Sequence, residues 1–143
     1  MRIGFEIKKL HMLISNELRS ATSIKAIDDM TNTHGYVLKY LAQNEGKEVF
    51  QRDIEKEFMI SRPTVSEIIK LMEKNGLVER RSVAKDARLK QILLTEKGKT
   101  LNVLVKKEFD DFEKSLSDLL TEEESKSLEQ IILKLSDGLK REK

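Results

Sequence analysis

Between Arg80 and Lys90 the chain sets five cations, Arg80, Arg81, Lys85, Arg88 and Lys90, against one acid, Asp86. Positive charge this dense attracts a polyanion, and an arginine fork can grip phosphate or a base edge where an ammonium only marks a point. Just upstream, Ser61-Arg62-Pro63-Thr64-Val65-Ser66-Glu67 places small hydroxyls and a cation at what reads as a helix start. Small hydroxyls there can approach phosphates and base edges without desolvating much bulk. On a helical wheel Val65, Ile68, Ile69 and Met72 form one inward stripe. Pro63, Glu67, Lys70 and Lys74 then point outward, with Thr64 and Ser66 on the flanks. Lys70 and Lys74 suit phosphates, Arg62 suits either role, and Glu67 either accepts from a cytosine amino group or simply faces solvent. Arg88 is expected at a hairpin tip, where a guanidinium can enter a narrow groove of strongly negative potential. Asp86 is placed to hold it by a charge-assisted bond, with Lys85 and Lys90 on flanking phosphates.

These groups need a scaffold, and the spacing supplies one. Gln51–Phe58 reads as a brief helix with Ile54 and Phe58 inward, after a minor strand at Lys47–Phe50. Ser61 opens the next helix, with Pro63 in its first turn, where a missing N–H costs nothing. Asn75-Gly76 follows a helical spacing, so it is expected to stop a helix rather than turn a hairpin. Two short helices joined by a tight turn make a helix-turn-helix candidate. Residues 77–82 and 90–94 suit short strands, joined by the basic loop. Thr31 caps a helix through about Leu41 that ends near Asn44–Gly46. Thr95 caps another, with Gly98 tolerated in its first turn and a stripe of Leu101, Leu104, Val105, Phe109, Phe112, Leu116 and Leu119. Thr121-x-x-Glu124 is a capping box before a last helix carrying Leu128, Ile131, Ile132, Leu135 and Leu139. Residues 3 to about 27 carry a stripe of Ile3, Ile7, Leu10, Ile14 and Leu18. Such apolar stripes at both chain ends exceed what one small core can cover, and a two-fold interface would bury the excess.

Composition narrows the classes. With 143 residues, one Pro and six Gly, the chain fits one mainly helical domain or a domain with a helical extension. No cysteine is present, which removes disulfides, thiolate metal sites and thiol redox chemistry. His11 and His34 are the only histidines, and neither stands in a catalytic spacing with a nucleophile, so an enzyme is not expected. No apolar run approaches the ~18 residues of a membrane span, and no signal peptide is visible, so the expected location is the cytoplasm. Net charge is only +2 because an acidic stretch, Glu108–Glu129, offsets the basic one. That stretch reads mainly as a solvated face.

The run Ser61–Lys99 resembles the core of the multiple antibiotic resistance regulator (MarR) family. The resemblance lies in Ser-Arg-Pro-Thr-Val-Ser at 61–66, Lys-Asn-Gly-Leu-Val-Glu-Arg at 74–80, Asp86-x-Arg88, and Leu-Thr-Glu-Lys-Gly at 94–98. Thr31–Leu41 is similar to that family's second helix, and the likeness spans nearly the whole chain. It implies a mainly α winged helix-turn-helix with N- and C-terminal dimerisation helices. The implied division is 1–28 for the first dimerisation helix, 29–98 for the DNA-binding lobe and 99–143 for the C-terminal dimerisation helices. It also implies a homodimeric, sequence-specific regulator of transcription, a repressor on a pseudo-palindromic operator in double-stranded DNA, relieved by a small molecule. Carried over, Ser61 to Lys70 would be the recognition segment, in the major groove, and Asp86 and Arg88 the wing pair, in the minor groove. The chain departs in having bulky Leu89 after the wing arginine and no glycine in the wing. It also lacks the cysteine of the oxidant-sensing members. His34 lies near a zinc-sensing region of some members, but no second histidine stands on the fifth helix, so neither a metal nor a cofactor is expected. His11, Tyr36 and Tyr40 could line a small-ligand pocket or serve as ordinary core. The alternative function is a winged-helix protein-interaction module without specific DNA binding.

Overall fold

A computed structural model describes residues 1–27 and 30–140. The chain forms two compact units, one over Met1–Phe109 and one from Asp110 onward. The first begins with α1 (Ile3–Ala21), which ends earlier than the periodicity suggests. The chain leaves the helix through extended Thr22 into a single 3-10 turn, Ser23–Ala26. On a continued helix Ile24 would lie about 120° away from Leu18. The break instead lets Ile24 and Leu18 both enter the core. The expected lobe boundary at 28 lies outside the described residues.

Helix α2 (Asn32–Gln43) follows Thr31, and Gly46 adopts φ +88° in the turn beyond it. Helix α3 (Gln51–Phe58) buries Ile54, and Phe58 meets Tyr40 edge-on with ring centroids 5.8 Å apart. Between α3 and α4 (Arg62–Lys74) the chain turns through Met59, held left-handed at φ 51° and 81% exposed. A side chain strained there, with nothing to bury, makes Met59→Gly a stabilising change of about 0.5–1 kcal/mol. Urea unfolding checks this, and a midpoint below the parent's would contradict it.

The inward stripe of α4 is Val65, Ile68, Ile69 and Met72, all buried. Its end is a Schellman motif: Gly76 N–H donates to Glu73 O at 3.0 Å and Leu77 N–H to Met72 O at 2.9 Å, with Gly76 at φ +72°. Strands β1 (Val78–Val83) and β2 (Asp86–Leu94) pair antiparallel. The extended stretch before α3 adds one bridge, Phe50 to Gln91, and Val49 O accepts from Ile92 N–H at 2.7 Å.

Helix α5 (Glu96–Ser117) starts on Thr95, whose hydroxyl oxygen accepts Gly98 N–H at 3.0 Å. Its buried residues are Gly98, Asn102, Val105 and Phe109, not the full leucine stripe. Leu101, Phe112 and Leu116 are half-buried, while Leu104 and Leu119 are exposed. The helix therefore has two apolar faces, and the first unit uses only one. Gly98 is required rather than tolerated, because a Cβ there would overlap the carbonyl oxygen of Leu77.

In the second unit, α6 (Glu122–Leu139) opens with the capping box. Thr121 N–H donates to Glu124 Oε1 at 2.9 Å, and Glu124 N–H returns to Thr121 Oγ1 at 3.1 Å. The Thr121 N–H, followed by the Thr121 hydroxyl, holds the Glu124 carboxyl below its ordinary range. No described residue of α6 is buried. Leu128, Ile131, Ile132, Leu135 and Leu139 are all exposed, as are Ile3, Phe5, Ile7, Leu10, Met12 and Leu13 of α1.

Candidate nucleic-acid interface

The wing is shorter and more irregular than a basic loop between two strands. Its turn is only Ala84–Lys85, with neither residue at positive φ. A two-residue turn without the left-handed backbone of a tight hairpin does not match the strands' twist, so the ladder must adjust elsewhere. It does so in one step: pairing passes from Ser82–Lys90 to Val83–Asp86. Ala87, Arg88 and Leu89 thus stand outside the ladder as a bulge. Arg88 is therefore carried by β2, in a bulge beside the turn, and not by the hairpin tip itself. The bulge is tied across the strands by Ser82 Oγ donating to Ala87 O at 3.2 Å and Lys90 Nζ donating to Ser82 Oγ at 2.6 Å.

Arg88 leaves this bulge 91% exposed, yet it is oriented. Asp86 Oδ1 accepts from Arg88 N–H at 2.9 Å and from Nε at 3.2 Å, and Oδ2 accepts from Nη2 at 3.3 Å. The backbone and side-chain bonds from Arg88 hold the Asp86 carboxyl below its usual range. A fork gripped on one edge presents its remaining N–H groups outward, which suits a second anion or a base edge.

The bulge faces α3 and α4 across a cleft of about 510 Å³. The cleft brings together Arg62, Ser66, Arg88 and Lys90, all expected site residues, and adds Arg52 and Arg80. Glu55 is the one acid in its lining. Arg80 was assigned no particular role by its spacing. It shares the inward face of β1 with Val78 and pairs with Glu73 of α4 at 3.6 Å. Period-2 alternation from Val78 was the signal for that placement. Arg52 stacks over Phe50 with its guanidinium carbon 5.1 Å from the ring centroid, and its spacing carried no such signal.

The other expected residues of α4 divide between structure and a second face. Ser61 Oγ caps the helix, accepting Thr64 N–H at 3.4 Å and donating to Thr64 Oγ1 at 2.9 Å. Pro63 sits exposed in the first turn, and Lys85 is exposed in the wing turn. Thr64, Glu67, Lys70 and Lys74 line a separate cavity of about 710 Å³. Its other wall comes from Thr31, Thr33 and His34 at the start of α2, and Ile60, Ile68 and Leu71 make its apolar floor.

The three candidate ligand residues do not converge. His11 and Tyr36 share a recess of about 330 Å³ between α1 and α2. Tyr36 rests against Phe109, ring centroids 4.9 Å apart. Tyr40 does not line this recess but packs on Phe58, and burial, followed by the charges of Asp53 and Glu57, raises its phenol above the ordinary value. Among the described residues no three His, Asp or Glu side chains gather to hold a metal, and no helix is long and apolar enough to cross a membrane.

Two helices meeting through a tight turn, followed by a two-stranded wing with an oriented arginine, define a winged helix-turn-helix protein. The comparisons agree. The model of the MarR family matches residues 28–89. The transcription regulator MarR from Oenococcus oeni PSU-1 is 30% identical, with 94% of this chain and 98% of that one covered and a TM-score of 0.76. A structure of S. aureus MepR in a DNA-binding conformation is also 30% identical over 94% and 98%, with a TM-score of 0.75. A S. aureus MepR–DNA complex gives 26% identity over 98% and 99%, with a TM-score of 0.89. No curated protein matches. The chain belongs to the MarR family of transcription regulators.

Proposed function

We propose that this protein binds double-stranded DNA as a homodimer and represses transcription from a pseudo-palindromic operator. The observation that carries the reading is Arg88, presented by the wing bulge, gripped on one edge by Asp86 and set beside the Arg62–Ser66 flank of α4. In this arrangement α4 enters a major groove through Arg62, Ser66 and the exposed start of the helix, and Arg88 enters the adjoining minor groove. Lys85, Lys90, Arg52 and Arg80 supply phosphate contacts, which favour binding without choosing a sequence. That role sets the protein in the cytoplasm. The likeness to a MepR structure solved with DNA supports DNA as the partner.

The apolar faces that α1, α5 and α6 leave uncovered support the dimer. Residues 1–28 and 99–143 serve as dimerisation helices and 29–98 as the DNA-binding lobe. A two-fold pair would set its recognition helices about 34–36 Å apart, one DNA turn. Relief by a small molecule is assigned to the cavity of about 710 Å³ on the outer side of α4, where an occupant favouring one helix separation would shift the population away from the binding form.

Arg88→Ala is expected to lose about five- to a hundredfold in affinity, concentrated at AT-rich minor-groove positions. Lys70→Ala should lose less and lose it evenly across sequences. If ~8 phosphates are contacted per dimer, log K against log salt slopes near −7. Gel-shift competition between random DNA and a selected duplex, at matched salt, checks all three. Flat, sequence-independent binding with an unaffected Arg88→Ala variant would favour an interaction module instead.

A further inference from the structure

The third helical residue of a capping box is ordinarily Glu or Gln, whose side chain accepts the cap residue's N–H. At the start of α2 that place is taken by a histidine. His34 Nδ1 accepts Thr31 N–H at 2.9 Å and lies 3.0 Å from Thr31 Oγ1. A backbone N–H can only donate, so Nδ1 must be the bare nitrogen and the ring must be neutral, with its proton on Nε2. The ring is buried. A second proton would set N–H against N–H, place a cation at the positive end of the α2 dipole and remove the cap in one event.

The turn that this cap closes is a junction. Asn32 Nδ2 donates to Ser15 O of α1 at 2.8 Å, tying the turn to the first helix. Thr31, Thr33 and His34 form the wall of the cavity whose opposite wall is the outer side of α4. Among the described side chains, the charged groups facing the ring from α4 are Glu67, Lys70 and Lys74. On the α1 side, His11 and Arg19 line the recess shared with Thr31, Asn32 and Thr33. From α5 the neighbours at Gly35 are Phe109 and Val105, both apolar.

We propose that the protein senses acidification through His34, the bound proton opening the first turn of α2 and loosening the joint between α1 and the lobe that carries α4. The output, weaker DNA binding, rests on the proposed function; the proton site does not. Burial holds the His34 imidazole below its ordinary 6.5. A folded value below the unfolded one gives stability that is complete above about pH 6.5 and is lost as pH falls toward the folded value. His11 and His34 are the chain's only histidines, so few other groups titrate in that window.

The full chain, His34→Gln and His11→Gln are compared at about pH 7.5 and about pH 5.5, on either side of a free imidazole. Gln keeps an acceptor at the capping position and does not titrate. The hydrogen-exchange protection factor of the Thr31 amide should fall about tenfold in the parent and in His11→Gln, and stay level in His34→Gln. Affinity for a duplex selected by the parent at the higher pH should follow the same pattern. Equal falls in parent and His34→Gln, or a level parent, overturn the inference, as does a fall in protection with unchanged affinity. Absence of DNA binding by all three at the higher pH would instead sink the DNA reading, and the Thr31 amide would still decide the proton site. The ring's own NMR titration in the parent tests the site without any variant, and a midpoint at or above 6.5 overturns it.

Discussion

Ile132→Glu is expected to convert the proposed dimer into folded monomers and to weaken binding to its proposed operator by about a hundredfold or more, because two linked half-site contacts become independent ones. Ile132 lies at the centre of the α6 stripe Leu128, Ile131, Ile132 and Leu135, and it is 52% exposed in the single chain. A stripe at steps of three, one and three is the spacing of a packed helix face, yet no described residue of α6 is buried. Within one chain, glutamate at an exposed position changes little. In an isologous interface it appears twice, and each unpaired charge taken from water costs several kcal/mol. The two readings therefore separate cleanly. Sedimentation should show half the parent's mass with helix content by circular dichroism unchanged. A variant that stays dimeric would move the interface away from α6, and one that unfolds would mean that α6 packs within its own chain.

Local signals carried most of the fold. The bounds Gln51–Phe58 for α3, the inward stripe of α4 and both capping interactions around Thr121 follow from apolar period and cap chemistry, which act over a few residues. The misses share a different cause, since each depends on what a residue meets across the molecule. Helix α1 breaks at Thr22 because Ile24 has a core to enter. Arg88 moves from tip to bulge because the pairing register of Ser82 and Val83, not composition, decides where extra residues go. Arg52 joins the basic cleft only because α3 is folded beside β2. The cap made by His34 is of the other, local kind: the residue stands three places after Thr31, and its ring nitrogen reaches the Thr31 N–H within that one turn. The oriented arginine was legible for a simpler reason: Asp86 and Arg88 are two residues apart, and a carboxylate at that spacing reaches both the N–H and the guanidinium.

Gly98→Ala is expected to destabilise the protein by about 3 kcal/mol, the upper end for overpacking, because the obstacle is backbone. Gly98 is helical, so its value lies in space and not in backbone freedom. An added Cβ would overlap Leu77 O, with Leu77 C and Leu94 Cδ2 each 3.1 Å away. That carbonyl cannot withdraw easily, since it accepts Thr95 N–H at 3.1 Å. Nor can α5 shift outward without loss. Thr95 Oγ1 donates to Gly76 O at 2.6 Å, and Lys97 Nζ donates to Asn75 O at 2.9 Å. These bonds join the end of α4, the start of β1 and the start of α5 at one point, so displacement there would disturb the wing's base as well as the helix. Gly35 is the instructive contrast. A Cβ at Gly35 would sit 2.7 Å from Phe109 Cζ, a side-chain atom that can be trimmed. Gly35→Ala should therefore be rescued by Phe109→Leu, whereas Leu94→Ala should leave Gly98→Ala unrescued, because the Leu77 carbonyl remains. Urea unfolding of the four variants tests this. A Gly98→Ala cost below about 0.5 kcal/mol, within the usual range of surface substitutions, would mean that α5 and β1 approach less closely than this joint requires.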